Sequence, residues 1–328
     1  MFRLILVPFL MLSFACGRQA DRSIDGAPQF GFVATSSLDA PQGWSSSTEH
    51  EEVIVVDLSL GSVLRLTKDG CDDRYPSLSP DRKRVAFSSG RPASGPFSGN
   101  GTHRLFVYDL ASRNILPLFE LVNKHLSGSL KNAQMEYPVW GKTTGRIAFC
   151  IDNSEYFRIA VYDPAVDTLF LGPRILDPLH FCWSPNERYI AFDGNKPARG
   201  LKHLWTPLEY GLGIVDLVSG NVTMIDSTRR CREAIDWAPS GQKLLVSQAD
   251  SEYAPIVISE YILASREFVT LDTVASGTVI GYGETENDIL HDHPWIDSSH
   301  IYIYNKITKQ SEPIGPSLRR IEGARIFR

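Results

Sequence analysis

Several signatures of well-known catalytic classes are missing from this sequence of 328 residues. It contains no Cys-x-x-Cys pair, no Gly-x-Ser-x-Gly, and no Walker or dinucleotide-binding fingerprint. These absences argue against a zinc ribbon, a thioredoxin-like site, an appended α/β-hydrolase and a nucleotide-binding domain. Positive charge is also scarce, with 33 Lys and Arg against 38 Asp and Glu. No nucleic-acid partner is therefore expected, because nucleic-acid binding usually leaves a basic patch or stripe.

The N-terminus has the pattern of an export signal. A positive charge at Arg3 precedes an almost wholly apolar run at residues 4–14. About 11 apolar residues are too few to cross about 30 Å of hydrocarbon, but they suit the core of a cleaved signal peptide. The pattern predicts a signal peptide at residues 1–15 and an exported protein of the periplasm or cell surface.

Cys16 resembles the lipid-modified cysteine of bacterial lipoproteins. The resemblance implies a lipid anchor as the only membrane attachment and a polar tether at residues 16–28. Gly17, rather than Asp, follows the cysteine, which resembles lipoproteins sorted to the outer membrane. Ser13-Phe14-Ala15 also satisfies the small-x-small rule for ordinary cleavage, so the alternative of an unlipidated exported protein stays open.

Export permits disulfides. The four cysteines beyond Cys16 allow three full pairings, and unpaired structural cysteines are a further possibility. The sequence does not choose among these arrangements for Cys71, Cys150, Cys182 and Cys231.

An internal repeat dominates the chain from residue 29 onward. Its first element is an apolar strand that ends in an acidic turn and is followed by a second strand. In the first four copies the turn begins at Asp57, Asp109, Asp163 and Asp216, which lie 52, 54 and 53 residues apart. Asp or Asn suits this position because its side chain accepts a hydrogen bond from the backbone two residues later and starts the turn. Two weaker copies follow, at residues 256–271 and 301–314.

The second repeated element is strand, turn, strand. It appears as Tyr75–Phe87, Tyr137–Phe149, His180–Phe192 and Ala234–Val246, with Ser-Pro or Ala-Pro in three of the four turns. Joined, the two elements give four strands per unit of about 50 residues, the spacing of β-propeller blades. Six copies predict an all-β fold, a six-bladed β-propeller, with a seventh blade as the alternative. A short helical insertion is expected at residues 123–135.

Closure of the ring follows from what the first unit lacks. Residues 30–35 supply a second strand with no obvious first strand before it. The C-terminal segment Glu322–Phe327 has the composition of the missing inner strand. Pairing of the two chain ends would remove exposed strand edges.

These residues resemble the repeat of TolB-like propellers. The resemblance rests on Trp183-Ser-Pro-Asn-Glu-Arg-Tyr-Ile-Ala-Phe192 and Tyr75-Pro-Ser-Leu-Ser-Pro-Asp-Arg-Lys-Arg-Val-Ala-Phe87, and it covers about residues 29–320. It implies one propeller domain at residues 29–328. Arg82 and Glu187 stand where that repeat has Gly, and the copy at His293-Pro-Trp295 is degenerate. Trp140, Trp183, Trp237 and Trp295 recur at one repeat position, which favours packing between blades over stacking on sugars.

The candidate ligand site is the mouth of the central channel, on the face where the inner strands begin. Long loops at residues 90–103 and 194–210 are expected there, and such loops on a rigid scaffold commonly carry function. The candidate ligand-binding residues are Asp72, Asp73, Arg74, His180, Arg229, Arg230, Arg232, His291, Asp292 and His293. No cofactor is predicted, although His180, His291 and His293 are weak candidates for a divalent-metal site, since two His at i and i+2 of a strand face one side.

Two functions fit this pattern. The first is a non-catalytic, monomeric binding propeller that engages an envelope protein or peptide through the channel mouth. The alternative is a carbohydrate-active propeller enzyme, a metal-assisted lyase or a hydrolase, with an oligosaccharide at the same mouth. Propeller folds host both kinds of function, so the fold alone does not separate them.

Overall fold

A computed structural model describes residues 31–36, 51–58, 60–69, 71–91, 102–154, 156–175, 180–196, 209–226, 231–249, 255–274, 279–283, 285–292, 299–318 and 322–327. Its strands form six separate four-stranded antiparallel sheets, one for each blade of a β-propeller. The predicted six-bladed fold is confirmed. The predicted signal peptide and Cys16 lie outside the described residues.

In the following description, the strands of each blade run in order from the inner strand, at the channel, to the outer strand. Blade 1 contains β24 (Glu322–Phe327), β1 (Gly31–Ser36), β2 (Glu52–Asp57) and β3 (Ser62–Arg65). Blade 2 contains β4 (Asp73–Leu78), β5 (Arg84–Ser89), β6 (Arg104–Asp109) and β7 (Ile115–Leu116). Blade 3 contains β8 (Gln134–Trp140), β9 (Ile147–Asp152), β10 (Phe157–Asp163) and β11 (Thr168–Ile175).

The remaining blades follow the same order. Blade 4 contains β12 (Phe181–Trp183), β13 (Tyr189–Lys196), β14 (Glu209–Asp216) and β15 (Val222–Asp226). Blade 5 contains β16 (Cys231–Trp237), β17 (Lys243–Ala249), β18 (Ile256–Ile262) and β19 (Glu267–Val274). Blade 6 contains β20 (Val279–Tyr282), β21 (Asp288–Asp292), β22 (Ser299–Asn305) and β23 (Gln310–Leu318).

Blade 1 combines the two ends of the described chain. Strand β24 pairs antiparallel with β1, with Gly31 opposite Phe327 and Phe32 opposite Ile326. The expected closure is therefore confirmed, and the C-terminal strand completes a sheet whose other strands come from the start of the chain. The strand also packs against β4 and β20 of the two neighbouring blades.

Antiparallel order gives the ring two distinct faces. We call the face where the six inner strands begin the mouth face. The opposite face, which carries the hairpins after Asp57, Asp109, Asp163, Asp216, Ile262 and Asn305, is the turn face. Each of the four aspartates and Asn305 accepts a backbone N–H from two or three residues later, as the repeat predicts.

Tryptophans join successive inner strands. Trp183 and Trp237 are fully buried, and the indole Nε1 of each donates to a backbone carbonyl of the preceding blade, at Val139 and Cys182. Trp140 is also buried. These three side chains are thus blade-to-blade packing, as expected, and Trp295 lies outside the described residues.

Blade 6 differs from its predicted form. Its inner strand is Val279–Tyr282, rather than the segment at His293-Pro-Trp295. Tyr282 is fully buried and takes the position of the repeat tryptophan. Its hydroxyl donates to Glu260 of blade 5 at 2.8 Å, so a phenol replaces the indole as the polar link between blades.

The helical insertion also lies earlier than expected. A helix, α1, spans Leu118–Asn123 and a 3-10 helix spans Gly128–Leu130. Leu118, Phe119 and Val122 are buried and pack onto the core of blades 1, 2 and 3. The apolar face of the insertion therefore sets its position.

No helix in the described ranges is long and apolar enough to cross a membrane.

The structure describes three of the four cysteine side chains beyond Cys16. Cys71, Cys150 and Cys182 are not in disulfides. The side chain of Cys231 lies outside the described residues.

Candidate functional site

The mouth face of blades 2 and 3 brings together four polar side chains. We call Asp72, Arg74, His103 and Glu136 the mouth cluster. Arg74 donates from Nε and Nη2 to the Asp72 carboxylate at 3.0 and 2.8 Å. His103 lies between the two acids, with Nε2 3.3 Å from Asp72 and Nδ1 3.4 Å from Glu136. The histidine thereby links the start of β4 to the start of β8.

The cluster is partly open to solvent. The Arg74 and Asp72 side chains are 39% and 31% exposed, whereas those of His103 and Glu136 are 13% and 12% exposed. Burial opposes ionisation of Asp72, but hydrogen bonds from His103 and Arg74 outweigh it and lower the pKa of Asp72. The outer half of the cluster, Arg74 and Asp72, is thus charged at neutral pH and accessible to a ligand.

Asp73 sits beneath the cluster and has a different role. Its side chain is fully buried, and Nη2 of Arg91 donates to both carboxylate oxygens at 2.8 and 2.7 Å. Burial raises the pKa of Asp73 to about 6, although Arg91 opposes the shift. Arg91 itself lies over the rings of Phe87 and Phe106. Asp73 therefore supports the start of β4 and does not face a ligand.

Two tyrosines stand at equivalent positions of β4 and β8. The ring centroids of Tyr75 and Tyr137 are 4.1 Å apart, and Tyr137 meets Phe181 of blade 4 edge-on at 6.5 Å. Tyr75 and Tyr137 have φ of +54° and +57°, where each inner strand bulges. A bulky residue in this region costs about 1–3 kcal/mol and is commonly retained where function requires it.

The tyrosine pair adjoins the mouth cluster in the chain, because each tyrosine directly follows a cluster residue, Arg74 or Glu136. Tyr75 is half-buried, and burial together with the negative charge of Glu136 raises the pKa of its hydroxyl. Tyr137 itself is buried, so the mouth face offers the partly exposed ring of Tyr75 together with accessible groups of both signs. Such a surface suits an extended polypeptide, since Tyr and Arg contribute strongly to protein interfaces.

His180 lies at the start of the inner strand of blade 4, as predicted. Its Nδ1 is 2.8 Å from Asp193 Oδ2, and its backbone N–H donates to Asp193 Oδ1 at 2.9 Å. The Asp193 side chain is 6% exposed, whereas that of His180 is 39% exposed. A buried carboxylate therefore fixes the orientation of an accessible imidazole, an arrangement used for general acid–base chemistry and for metal ligands.

His291 is not at the start of an inner strand, and that predicted placement is wrong. It lies near the end of β21, the second strand of blade 6. Its side chain is buried, stacks on Tyr302 and lies 3.3 Å from Ser311. The sequence at residues 293–295 resembles the inner strand of the repeat, whereas residues 279–282 form that strand. A buried ring between two outer strands does not face the channel.

The other predicted site residues are only partly described. Arg232 lies in β16 and Asp292 at the end of β21, both at the mouth-face end of their strands. Arg229, Arg230 and His293 lie outside the described residues. Among the described residues, no group of three His, Cys, Asp or Glu is placed to hold a metal ion. A divalent-metal site at His180, His291 and His293 therefore stays a prediction.

The predicted set lacks six residues of the site that the structure describes: Tyr75, Arg91, His103, Glu136, Tyr137 and Asp193. Arg91 and His103 belong to the loop at residues 90–103, which was expected at the mouth without a residue being singled out. The shared Tyr-Pro of Tyr75 and Tyr137 was visible in the repeat. Neither the bulge nor the approach of His103 to Glu136 has a local sequence signal, since each depends on the packing of two blades.

Solved structures share this architecture. TolB from Acinetobacter baumannii superimposes with a TM-score of 0.63 at 11% identity, covering 90% of this chain and 66% of that one. The fold is that of a TolB-like six-bladed β-propeller. A putative TolB from Agrobacterium tumefaciens gives a TM-score of 0.60 at 11% identity, covering 92% of this chain and 99% of that one. An oligogalacturonate lyase in complex with manganese gives 0.52 at 11% identity, with 83% and 72% covered.

These likenesses concern the fold. No protein-family model matches the sequence, and no curated protein matches it. The propeller fold is thus shared with a lyase as well as with TolB. The fold alone therefore does not decide the function of this chain.

Proposed function

We propose that this chain is an exported, non-catalytic propeller that binds a protein or peptide partner through the mouth face of blades 2 and 3. The observation that carries the proposal is the tyrosine pair, in which buried Tyr137 supports the partly exposed ring of Tyr75, next to the accessible side chains of Arg74 and Asp72. The export pattern at residues 1–15 and the TolB-like fold support a binding role in the cell envelope.

Reversing the charge of Arg74 tests the proposal. In Arg74→Glu, the acidic side chain repels Asp72 and removes the cation from the platform, so partner affinity should fall about 30-fold, the loss of a typical interface hot spot. Crosslinking in intact envelopes, followed by mass spectrometry, identifies the adduct at the mouth face, and titration with that purified partner gives the affinity.

Arg113→Glu is the matched control. Arg113 is exposed on the turn face and has the left-handed φ of +58° in its hairpin. The same charge change there should leave the affinity unchanged. The proposal fails if folded wild-type protein yields no adduct above background, or if both variants bind as tightly as the wild type.

A second function is favoured by one observation, the imidazole of His180 held by buried Asp193. Together with the fold shared with an oligogalacturonate lyase, it supports a carbohydrate-active enzyme whose accessible histidine ligates a divalent metal or moves a proton. If this function is correct, full-length protein purified without a His tag or chelators contains stoichiometric metal and degrades acidic oligosaccharides.

His180→Ala should then lose both the metal and the turnover. His125→Ala is the control, because His125 forms a comparable pair with Asp167, 2.9 Å apart, at a turn-face hairpin. Elemental analysis by mass spectrometry measures the first property, and formation of unsaturated or reducing ends measures the second. Metal-free protein with no turnover contradicts the enzyme and leaves the binding function.

A further inference from the structure

Large aliphatic side chains are exposed at equivalent places on the turn face. Leu60, Val166, Val218 and Ile307, which we call the tip residues, are 68%, 65%, 80% and 74% exposed. Each is two or three residues after the Asp or Asn that starts the hairpin between the third and fourth strands. The tip residues thus belong to blades 1, 3, 4 and 6 and lie at one end of the ring.

Exposed cations occupy equivalent hairpins of the turn face, two of them in the blades that have no tip residue. Arg113, Arg266 and Lys309 hold the left-handed position of the turns in blades 2, 5 and 6, with φ of +58°, +60° and +59°. All three are exposed. Every one of the six hairpins therefore presents an aliphatic tip, a cation or both at this end of the ring.

Two of the exposed acids at this end of the ring are engaged within the protein. Asp167 accepts from the Tyr162 hydroxyl at 2.8 Å and pairs with His125, and Asp81 accepts the backbone N–H of Lys83 at 3.1 Å. Hydrogen bonding lowers the pKa of both carboxyls. Hydrogen bonds within the protein thus hold these two carboxylates, whereas the three cations are exposed at the turns.

The spacing of the tips decides what kind of surface they fit. Each tip belongs to a different blade, so the four do not form a groove that an extended peptide or a helix would fill. A lipid bilayer offers an apolar phase that all the tips can enter at once, and an anionic headgroup layer attracts Lys and Arg beside them.

The start of the described chain points to the same face. Gly31 begins β1, the second strand of blade 1, and lies opposite Phe327 and Asp57 at the turn-face end. A chain that arrives from residue 16 therefore joins the propeller on the turn face. If Cys16 carries the expected lipid, the tether draws this face, rather than the mouth face, toward the bilayer.

We infer that the turn face is a membrane-docking surface, in which Leu60, Val166, Val218 and Ile307 enter the interface of an anionic lipid bilayer. This orientation leaves the mouth face pointing away from the membrane. The inference goes beyond the proposed function, because it concerns the opposite face and holds whichever ligand the mouth binds.

Site-specific photocrosslinking of the full chain tests the inference. A benzophenone side chain at position 166 or 218 should form lipid adducts in vesicles of phosphatidylethanolamine and phosphatidylglycerol. The matched control position is Arg174, which is exposed near the mouth-face end of β11, the strand that follows the Val166 hairpin. No lipid adduct should form there, because the strand carries it about 25 Å from the docked face.

A combined variant separates docking by the tips from simple tethering. Leu60→Ser with Ile307→Ser should abolish the lipid adduct at position 166, while Leu171→Ser with Met224→Ser, at exposed aliphatics of the outer strands, should leave it intact. Equal lipid labelling at positions 166 and 174 overturns the inference. So does an adduct at position 218 with protein instead of lipid. Neither outcome affects the mouth-face test.

Discussion

Removing residues 321–328 is expected to unfold the propeller or to lower its free energy of unfolding by more than about 4 kcal/mol, a loss that single substitutions rarely reach. These residues include β24, the whole inner strand of blade 1. Since a domain of this kind has a total stability of about 5–15 kcal/mol, such a loss leaves little folded protein.

The size of the effect comes from the ring. Without β24, strand β1 becomes an unpaired inner edge, and the ring loses the contacts that β24 makes with β4 on one side and β20 on the other. In an open repeat array the loss of one terminal strand stays local. Here the same strand joins the first blade to the last, so its removal opens the closed ring and exposes two edges.

Thermal melting of the full chain and of the shortened chain measures the effect. Deletion of Arg328 alone is the control, because this residue follows the end of β24 at Phe327. The single deletion should leave the melting temperature within a few degrees of the full chain. An unchanged melting temperature after removal of all eight residues would show that the ring does not depend on this closure.

Glu187→Ala is expected to destabilise the protein by about 2–3 kcal/mol, because it removes a buried carboxylate that accepts several hydrogen bonds. Glu187 belongs to the turn between β12 and β13, and its carboxylate is 1% exposed. It accepts from the backbone and hydroxyl groups of Thr143 and Thr144 and from Arg146, all in blade 3. The variant removes the acceptor that these donors share, and water replaces only part of what is lost, because Thr143 and Thr144 are exposed whereas the carboxylate was buried.

The environment of Glu187 explains two departures from a simple repeat. Glu187 has φ of +50°, a backbone conformation for which Gly is the usual residue. The hydrogen bonds of the side chain to the neighbouring blade offset the backbone strain of this conformation. Gly141 makes room for it, since a Cβ there would lie 2.8 Å from the Glu187 carboxyl group. Gly141→Ala should therefore also be destabilising.

Arg82→Ala is the matched control for Glu187→Ala. Arg82 holds the equivalent turn position in blade 2, with φ of +56°, so both variants place an alanine in the same strained conformation. Arg82→Ala should cost less than about 1 kcal/mol. Chemical denaturation of both variants gives the free energies of unfolding, and equal losses would show that the turn, rather than the carboxylate, is responsible.

Acid should remove the contribution of Glu187. Burial opposes its ionisation, but the hydrogen bonds from Thr144 and Thr143 outweigh this and hold the pKa below the ordinary value of 4.5. The folded-state pKa thus lies below the unfolded-state pKa, and the stabilisation is complete above the latter. It is lost as the pH falls through the folded-state pKa, so the difference between wild type and Glu187→Ala should shrink in acid.

Much of this fold was predictable from the sequence because a propeller repeats one local pattern. The turn aspartates and the alternation of strands and turns recur about every 53 residues, and each copy specifies its own strands. Because no first strand precedes residues 30–35, the sequence also predicted that Glu322–Phe327 pairs with them. The repeat failed in blade 6, where Tyr282 replaces the tryptophan and the pattern at residues 293–295 resembles the repeat more closely than the true inner strand does.

The candidate site was predictable only as a face of the ring. Asp72, Arg74 and His180 could be assigned to the mouth, because each stands at the start of a repeated inner strand. The sequence could not show that Asp73 is buried under Arg91, that His291 stacks on Tyr302, or that His103 reaches Glu136 of the next blade. Those contacts join residues far apart in the chain, and the packing of neighbouring blades determines them.

The sequence by itself therefore determined the number of blades, the closure of the ring and the face at which each loop lies, since these follow from local hydrogen bonding repeated along the chain. Only the tertiary structure decided which side chains meet. It placed Tyr75 against Tyr137 and Glu187 under the turn of blade 3. Each of these arrangements depends on the angle and distance between blades, which side-chain packing sets and no single repeat encodes.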